Sequence, residues 1–138
     1  MKKSVFTKLD VLPPVARLVG FRLLKMARGT AVCEMTAGAR HRNTVGTVHG
    51  GILCDLSDAT MGYAFTSTLA PGQKGVTVEF KINFLRAALP GDRLRARAKT
   101  IWRGRSLSYL ECEIRNGPGR LLAKASSTCK IKRGQAKL

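Results

Sequence analysis

Residues 43–58 read NTVGTVHGGILCDLSD and concentrate residue types that could do chemistry: one of the two histidines of the chain, two adjacent glycines and two aspartates. No Lys or Arg occurs from residue 43 to residue 73, although the 138-residue chain holds 25 of them and carries a formal net charge of +17. Gly50-Gly51 opens a helical pattern. Backbone N–H groups at a helix start are unpaired and sit at the positive end of the dipole, so they can hold an anion or the oxyanion that develops on a carbonyl. Two such glycines can equally be a tight entry turn.

Asp58 falls on the same helical stripe as Cys54, Met61 and Phe65. A carboxylate desolvated among apolar neighbours is a stronger base, which makes Asp58 a candidate for general-base or nucleophilic work; the plainer alternative is a helix-side Asp hydrogen-bonded to a neighbouring strand or loop. Asp55, one turn earlier, is expected near the first turn as a partner of the dipole. His49 could act as a base, as a hydrogen-bond donor or as an anchor of the loop, and His41 reads as a loop residue. Distance constrains the set. Asp58 lies eight residues after Gly50, or roughly 12 Å along a helix. One chain cannot bring both to one carbonyl carbon. Two antiparallel helices across a twofold axis can, so cooperation between Gly50 and Asp58 requires a homodimer.

The elements that must position these residues follow from periodicity. KSVFTKLDVLPP is expected to be a short helical lead-in stopped by Pro13-Pro14, and VARLVGFRLLKMARGTAVCEMTA two strands broken at residues 27–29. GARHRNTVGTVHGG is a polar, glycine-rich loop. In GILCDLSDATMGYAFTS, Ile52, Leu56, Ala59 and Tyr63 form one apolar stripe, and Cys54, Met61 and Phe65 a second. That pattern fits a buried helix, ended by Pro71-Gly72. Four strands follow: KGVTVEFKINFLR, GDRLRARAKTIW, SLSYLECEIRN and GRLLAKASSTCKIK. The second alternates strictly, with Arg93, Arg95, Arg97 and Lys99 opposite Leu94, Ala96 and Ala98. A three-residue RGR hairpin loop would set Arg97 opposite Glu111 and Arg95 opposite Glu113. Two strands, one buried helix and four strands make an α+β fold, an antiparallel sheet wrapped around one central helix.

Bulk properties bound the function. The length gives one domain over 1–138, with its core over about 15–132. A 44% apolar fraction fits a globular chain. Cys33, Cys54, Cys112 and Cys129 are widely spaced in apolar runs, which suggests buried thiols rather than a metal site. The first residues have no signal-peptide core, and no run of 18 apolar residues occurs. The expectation is a cytoplasmic protein without membrane insertion. The charge favours anionic partners, yet the 93–99 stripe holds no aromatic residue for a single-stranded nucleic-acid platform, and a solvated face is the simpler reading. No specific nucleic-acid binding is expected.

The spacing N-x-x-G-x-x-H-G-G-x-x-x-x-L-x-D, carried by Asn43, Gly46, His49, Gly50, Gly51, Leu56 and Asp58, resembles the hotdog-fold acyl-CoA thioesterases, in particular their PaaI-like (phenylacetate-pathway) branch. GVTVEFKINFLRAALPGDRLRARAKTIWRGRS and GPGRLLAKASSTCKI extend the similarity. The resemblance implies a curved antiparallel sheet around one long helix, dimerised edge to edge and assembled as a tetramer, a dimer of dimers. It implies hydrolysis of an acyl-CoA thioester. Gly50 N–H would polarise the carbonyl, and Asp58 of the partner helix would act as base or nucleophile. Asn43 would help position the water or carbonyl, with His49 beside it. Thr77 would support the carboxylate from the following strand. Gly51 would contact substrate, and Arg86 is a candidate for the phosphates. No metal or cofactor is implied, since coenzyme A is part of the substrate. Met61, Tyr63 and Phe65 on the helix and Phe80 and Phe84 on the strand would suit an aryl or short- to medium-chain acyl group, and core packing explains the same residues about as well. The alternative is a non-catalytic acyl-CoA-binding hotdog protein, against which Asp58 speaks. A hydratase of the same fold would carry a different His/Asp or His/Glu arrangement.

Overall fold

The computed structural model describes residues 13–132. α1 (Pro14–Val19) leads into β1 (Arg22–Ala27) and β2 (Thr30–Thr36), and a 3-10 turn at Ala39–His41 opens the loop before α2 (Gly50–Thr66). β3 (Gly75–Phe84), β4 (Arg93–Arg103), β5 (Leu107–Arg115) and β6 (Leu121–Ile131) complete the chain of elements. All six strands form one antiparallel sheet in the order β1-β2-β4-β5-β6-β3. The connection after α2 therefore carries the chain to the far edge, and β1 and β3 are the two edge strands.

α2 lies across one face of the sheet and touches all six strands. Its buried side is Leu53, Leu56, Ser57, Thr60, Met61, Ala64 and Phe65. Two of these are polar, and each satisfies its hydroxyl within the helix: Ser57 Oγ donates to Leu53 O at 2.7 Å and Thr60 Oγ1 to Leu56 O at 2.6 Å. Beneath the helix lie Leu94, Ala96 and Ala98 of β4, Leu110, Cys112 and Ile114 of β5, and Ala123, Ala125 and Cys129 of β6. The alternation seen in the sequence thus separates an inner apolar face from an outer face bearing Arg93, Arg95, Arg97 and Lys99.

The structure differs from expectation at three places. The lead-in ahead of Pro13 lies outside the described residues; Pro14 starts a helix over residues 14–19, in place of the start of the expected first strand. Proline suits the first helical position because its φ is preset and its missing N–H would be unpaired there. Gly20, at φ 98°, ends that helix, so the first strand begins only at Arg22. The β4–β5 hairpin also has another register. The hairpin is closed by the Arg103–Ser108 pair, so the turn between paired residues is 104–107, and a bulge between Thr100 and Trp102 adds a residue to β4. Arg97 consequently faces Glu113, Lys99 faces Glu111, and Arg95 faces Arg115. Lastly, Asp55 is not in the first turn of α2, which contains no acidic residue.

Candidate active site

The loop before α2 is held by its own polar groups. His41 is buried: its Nδ1 accepts from Gly38 N–H at 2.9 Å, so Nε2, 2.7 Å from Val19 O, must be the protonated nitrogen. Asn43 Oδ1 accepts from the Val45 and Thr47 amides at 3.0 and 3.1 Å, and its Nδ2 donates to Thr47 Oγ1 at 2.8 Å. The asparagine is thus the staple of a tight loop. Val48 N–H donates to Ala88 O, and His49 N–H to His41 O. These bonds fix the direction in which α2 starts.

His49 is the N-cap of α2, with Nδ1 accepting from Gly51 N–H at 2.9 Å. That bond occupies the Gly51 donor. The Gly50 N–H has no hydrogen-bond partner among the described residues, which leaves it at the positive end of a 17-residue helix. A Cβ at Gly50 would sit 2.9 Å from Cζ of the Phe84 ring, so the glycine allows the aromatic residue at the end of β3 to lie against the helix start. Phe84 is itself 54% exposed.

Two turns further on, Asp58 is half-buried and opens on a cleft of about 420 Å³ between α2, β3 and α1. Thr77 Oγ1 donates to Asp58 Oδ1 at 2.9 Å. β3 carries a bulge between Thr77 and Glu79, a distortion of the kind that re-aims a side chain. Thr77 Oγ1 is also 3.8 Å from Cys129 Sγ. Asp55 and Tyr63 line the same cleft. Burial first, and then the Asp58 charge, push the Asp55 carboxyl above its ordinary value. The spacing i, i+3 places Asp55 and Asp58 on one helix face, a signal sufficient to have put Asp55 beside the cleft. Phe84 against Gly50 had no such sequence signal, because it depends on how β3 crosses the helix start.

The set therefore divides. Asp58 and Thr77 are in contact, while Asn43, His49, Gly50 and Gly51 form a second group at the helix start, outside the residues that line the Asp58 cleft. Arg86 is exposed just beyond β3, and its backbone N–H donates to Leu122 O at 3.1 Å. The cysteines are poor nucleophiles: burial pushes the thiols of Cys33 and Cys112 to about 11 and about 12. Among the described residues no three His, Cys, Asp or Glu side chains converge to hold a metal ion.

A six-stranded antiparallel sheet around one long helix, with a carboxylate at mid-helix and a glycine-led helix start, is the arrangement of a hotdog-fold hydrolase. The family model described as the thioesterase superfamily matches residues 45–123. The chain is 31% identical to acyl-coenzyme A thioesterase 13 of Homo sapiens over 77% of this chain and 76% of that protein. It is 34% identical to the acyl-coenzyme A thioesterase PaaI of Escherichia coli over 73% of this chain and 70% of that protein. The solved PaaI structure from the E. coli phenylacetic acid degradation operon superposes with a TM-score of 0.83, covering 88% of this chain and 86% of that one at 30% identity. A hypothetical thioesterase protein of Streptococcus pneumoniae, solved with coenzyme A, superposes with a TM-score of 0.76, covering 84% and 91% at 28% identity. The chain belongs to the thioesterase superfamily, in its PaaI-like hotdog branch.

Proposed function

We propose that this thioester hydrolase cleaves acyl-CoA, with an aryl or short- to medium-chain acyl group, to the free acid and coenzyme A in a site shared by two chains. The observation that carries the reading is the Asp58 carboxylate held by Thr77 at the wall of an open cleft. Relatives named as acyl-CoA thioesterases, and the neighbour solved with coenzyme A, support the substrate class.

The second chain follows from distance. Gly50 and Asp58 of one helix are roughly 12 Å apart, too far to act on one carbonyl. β3 is an edge strand with Val76 and Val78 exposed, 40% and 54%. An exposed, apolar strand edge is a template for pairing. Antiparallel pairing of β3 with its twofold copy sets the helix start of one chain against the mid-helix of the other. Gly50 N–H then donates to the thioester oxygen as it becomes an oxyanion. Asp58 of the partner either deprotonates a water that attacks the carbonyl carbon or attacks that carbon itself to give a transient anhydride, which water opens. Both routes release the thiol of coenzyme A and the acid, and neither calls for a cofactor. Thr77 keeps the carboxylate aimed. His49 positions the helix start through its cap, Asn43 does so through its loop, Gly51 lies beside the bound thioester, and Arg86 reaches toward the phosphates.

Two such dimers would give a tetramer. No helix among the described residues is long and apolar enough to cross a membrane. The four free cysteines suit a reducing compartment, so the cytoplasm is the proposed location.

The test is thiol release from phenylacetyl-, benzoyl-, hexanoyl-, decanoyl- and palmitoyl-CoA by wild type and Asp58→Asn. The reading expects turnover on at least one ester and a fall in kcat of about 10³-fold in the variant. Tight binding of the esters with no turnover by wild type would replace the enzyme with a binder.

A further inference from the structure

The outer face of the sheet holds a feature that thioester chemistry at Asp58 does not use. Arg93, Arg95 and Arg97 of β4 and Arg115 of β5 line a single cleft of about 270 Å³, together with Asn116, Gly117 and Gly119. Among the described residues no carboxylate lines it. Leu94, Ala96 and Ala98 face α2, so the arginines project from the opposite side of the sheet.

A merely solvated face would be expected to balance or separate its charges. Here Arg95 and Arg115 are direct cross-strand partners, a like-charge placement that costs stability. Compensation is incomplete. The buried carboxylate of Glu34 is shared by Arg22, Arg93 and Arg95, at 3.4, 3.8 and 2.6 Å. Glu113 accepts a two-pronged contact from Arg115 at 3.2 and 3.3 Å. Arg97 faces Glu113 in register, yet forms no ion pair among the described residues. Five guanidiniums thus stand against two carboxylates.

The carboxylates also orient the forks. Glu34 Oε2 accepts from both Nε and Nη2 of Arg95, and Arg115 Nη1 donates to Gly119 O at 2.9 Å, which ties it to the turn. The side chains of Arg95 and Arg115 remain 40% and 42% exposed. The Nε–Nη2 edges of both are engaged by the carboxylates, so these oriented and part-exposed guanidiniums offer their remaining N–H groups to phosphate oxygens. A second copy of the chain does not suit this face, because it would set arginine against arginine.

We propose that this cleft is an anion site for a small molecule carrying two or more phosphoryl groups, separate from the thioester cleft on the other side of the sheet. The ligand chemistry is the phosphate cluster, whether supplied by a free polyphosphate or by the nucleotide end of a larger molecule. The inference stands independently of the thioesterase reading.

Calorimetric titration at low ionic strength tests it with two probes, inorganic pyrophosphate and adenosine 3′,5′-bisphosphate. The expected result is saturable binding to wild type of at least one probe. Pyrophosphate binding alone shows that phosphates suffice, and tighter binding of the bisphosphate shows that the nucleotide is read as well. Arg97→Gln, which removes no ion pair, should weaken binding several-fold. Arg97→Gln with Arg115→Gln should weaken it at least tenfold, with kcat on acyl-CoA unchanged. Arg97→Lys, which keeps the charge and loses the fork, should fall between wild type and Arg97→Gln. No binding of either probe at millimolar concentration overturns the proposal. So does equal binding by the folded double variant, or competitive inhibition of turnover that the double variant leaves unchanged, since that places the anion in the thioester cleft.

Discussion

The α2–β3 region and the outer β4–β5 face use charge in opposite ways. Around α2 the chain has no cation from residue 43 to residue 73, and the groups left available include the Gly50 backbone N–H, the Asp58 carboxylate held by a threonine, and Asp55 and Tyr63 beside it. On β4, four cationic side chains alternate along one outer face, and a buried glutamate shared by three arginines holds part of the cluster together. A site that stabilises developing charge works through few groups in a partly dry place, where each is worth more. A surface that holds an already charged ligand works through many forks in contact with water. Changes in the first region should therefore appear in turnover, and changes in the second in stability and anion binding.

Gly50→Pro should separate the two regions most sharply after loss of Asp58. Gly50 is the first helical residue, where proline is tolerated, and His49 already has the extended conformation that precedes proline, at φ −59° and ψ 135°. The exposed Phe84 ring must shift, but the chief loss is one N–H. The expected fall in kcat is about 10²- to 10³-fold, measured by thiol release, with little change in Tm. A comparable loss of Tm would mean that the glycine serves packing instead.

Thr77→Val should cost less, about tenfold in kcat, because it removes the bond that aims Asp58, with the long contact to Cys129 Sγ, and keeps the β-branched shape on an edge strand. Thr77→Ser should restore most of the rate. Equal loss in both variants would detach the hydroxyl from the carboxylate.

Glu34→Gln tests the other side of the comparison. It removes the shared anion and should lower stability by about 2 kcal/mol, read by denaturant unfolding, with kcat unchanged. The Arg95 guanidinium beside Glu34 holds its carboxyl below the ordinary 4.5, against the burial that raises it. A carboxyl lowered by folding contributes stability that is fully present above its unfolded value. That contribution should fade as pH drops below about 4.5 toward the folded value. Wild type should lose stability over that window, and Glu34→Gln should lose less. Parallel acid curves would mean that Glu34 is not the group responsible.

The sequence was most legible where a short period meets burial. That α2 is a helix packed on the sheet followed from its apolar periodicity, although its buried side runs through Leu53, Leu56, Ser57, Thr60, Met61, Ala64 and Phe65 and leaves Ile52, Cys54, Ala59 and Tyr63 half-buried. The β4 face followed from the strict alternation of Leu94, Ala96 and Ala98. Edge and hairpin geometry was less legible. A turn closed by the Arg103–Ser108 pair shifts the β4–β5 register, and the bulge at residues 100–102 takes part of that shift back, so Arg95 meets Arg115 and not Glu113. Nothing in local propensity marks that bulge, because its cost is set by the neighbouring strands. The N-terminal helix was missed because Pro14 can stop one helix or start another, and the choice rests on how residues 15–19 pack. At the site, the Gly50 and Asp58 candidates followed from residue type and helix position, whereas the burial of His41 and the stapling role of the Asn43 side chain depend on loop contacts that local pattern does not encode.

The central claim is that Gly50 of one chain and Asp58 of another act on the same thioester. Its most direct measurement is activity after mixing Gly50→Pro chains with Asp58→Ala chains under conditions where exchange of subunits is verified. Each variant alone should be nearly inactive. The mixture should regain up to one working site per heterodimer, since one of its two sites keeps both groups. Verified heterodimers without recovered turnover would contradict a site built from two chains.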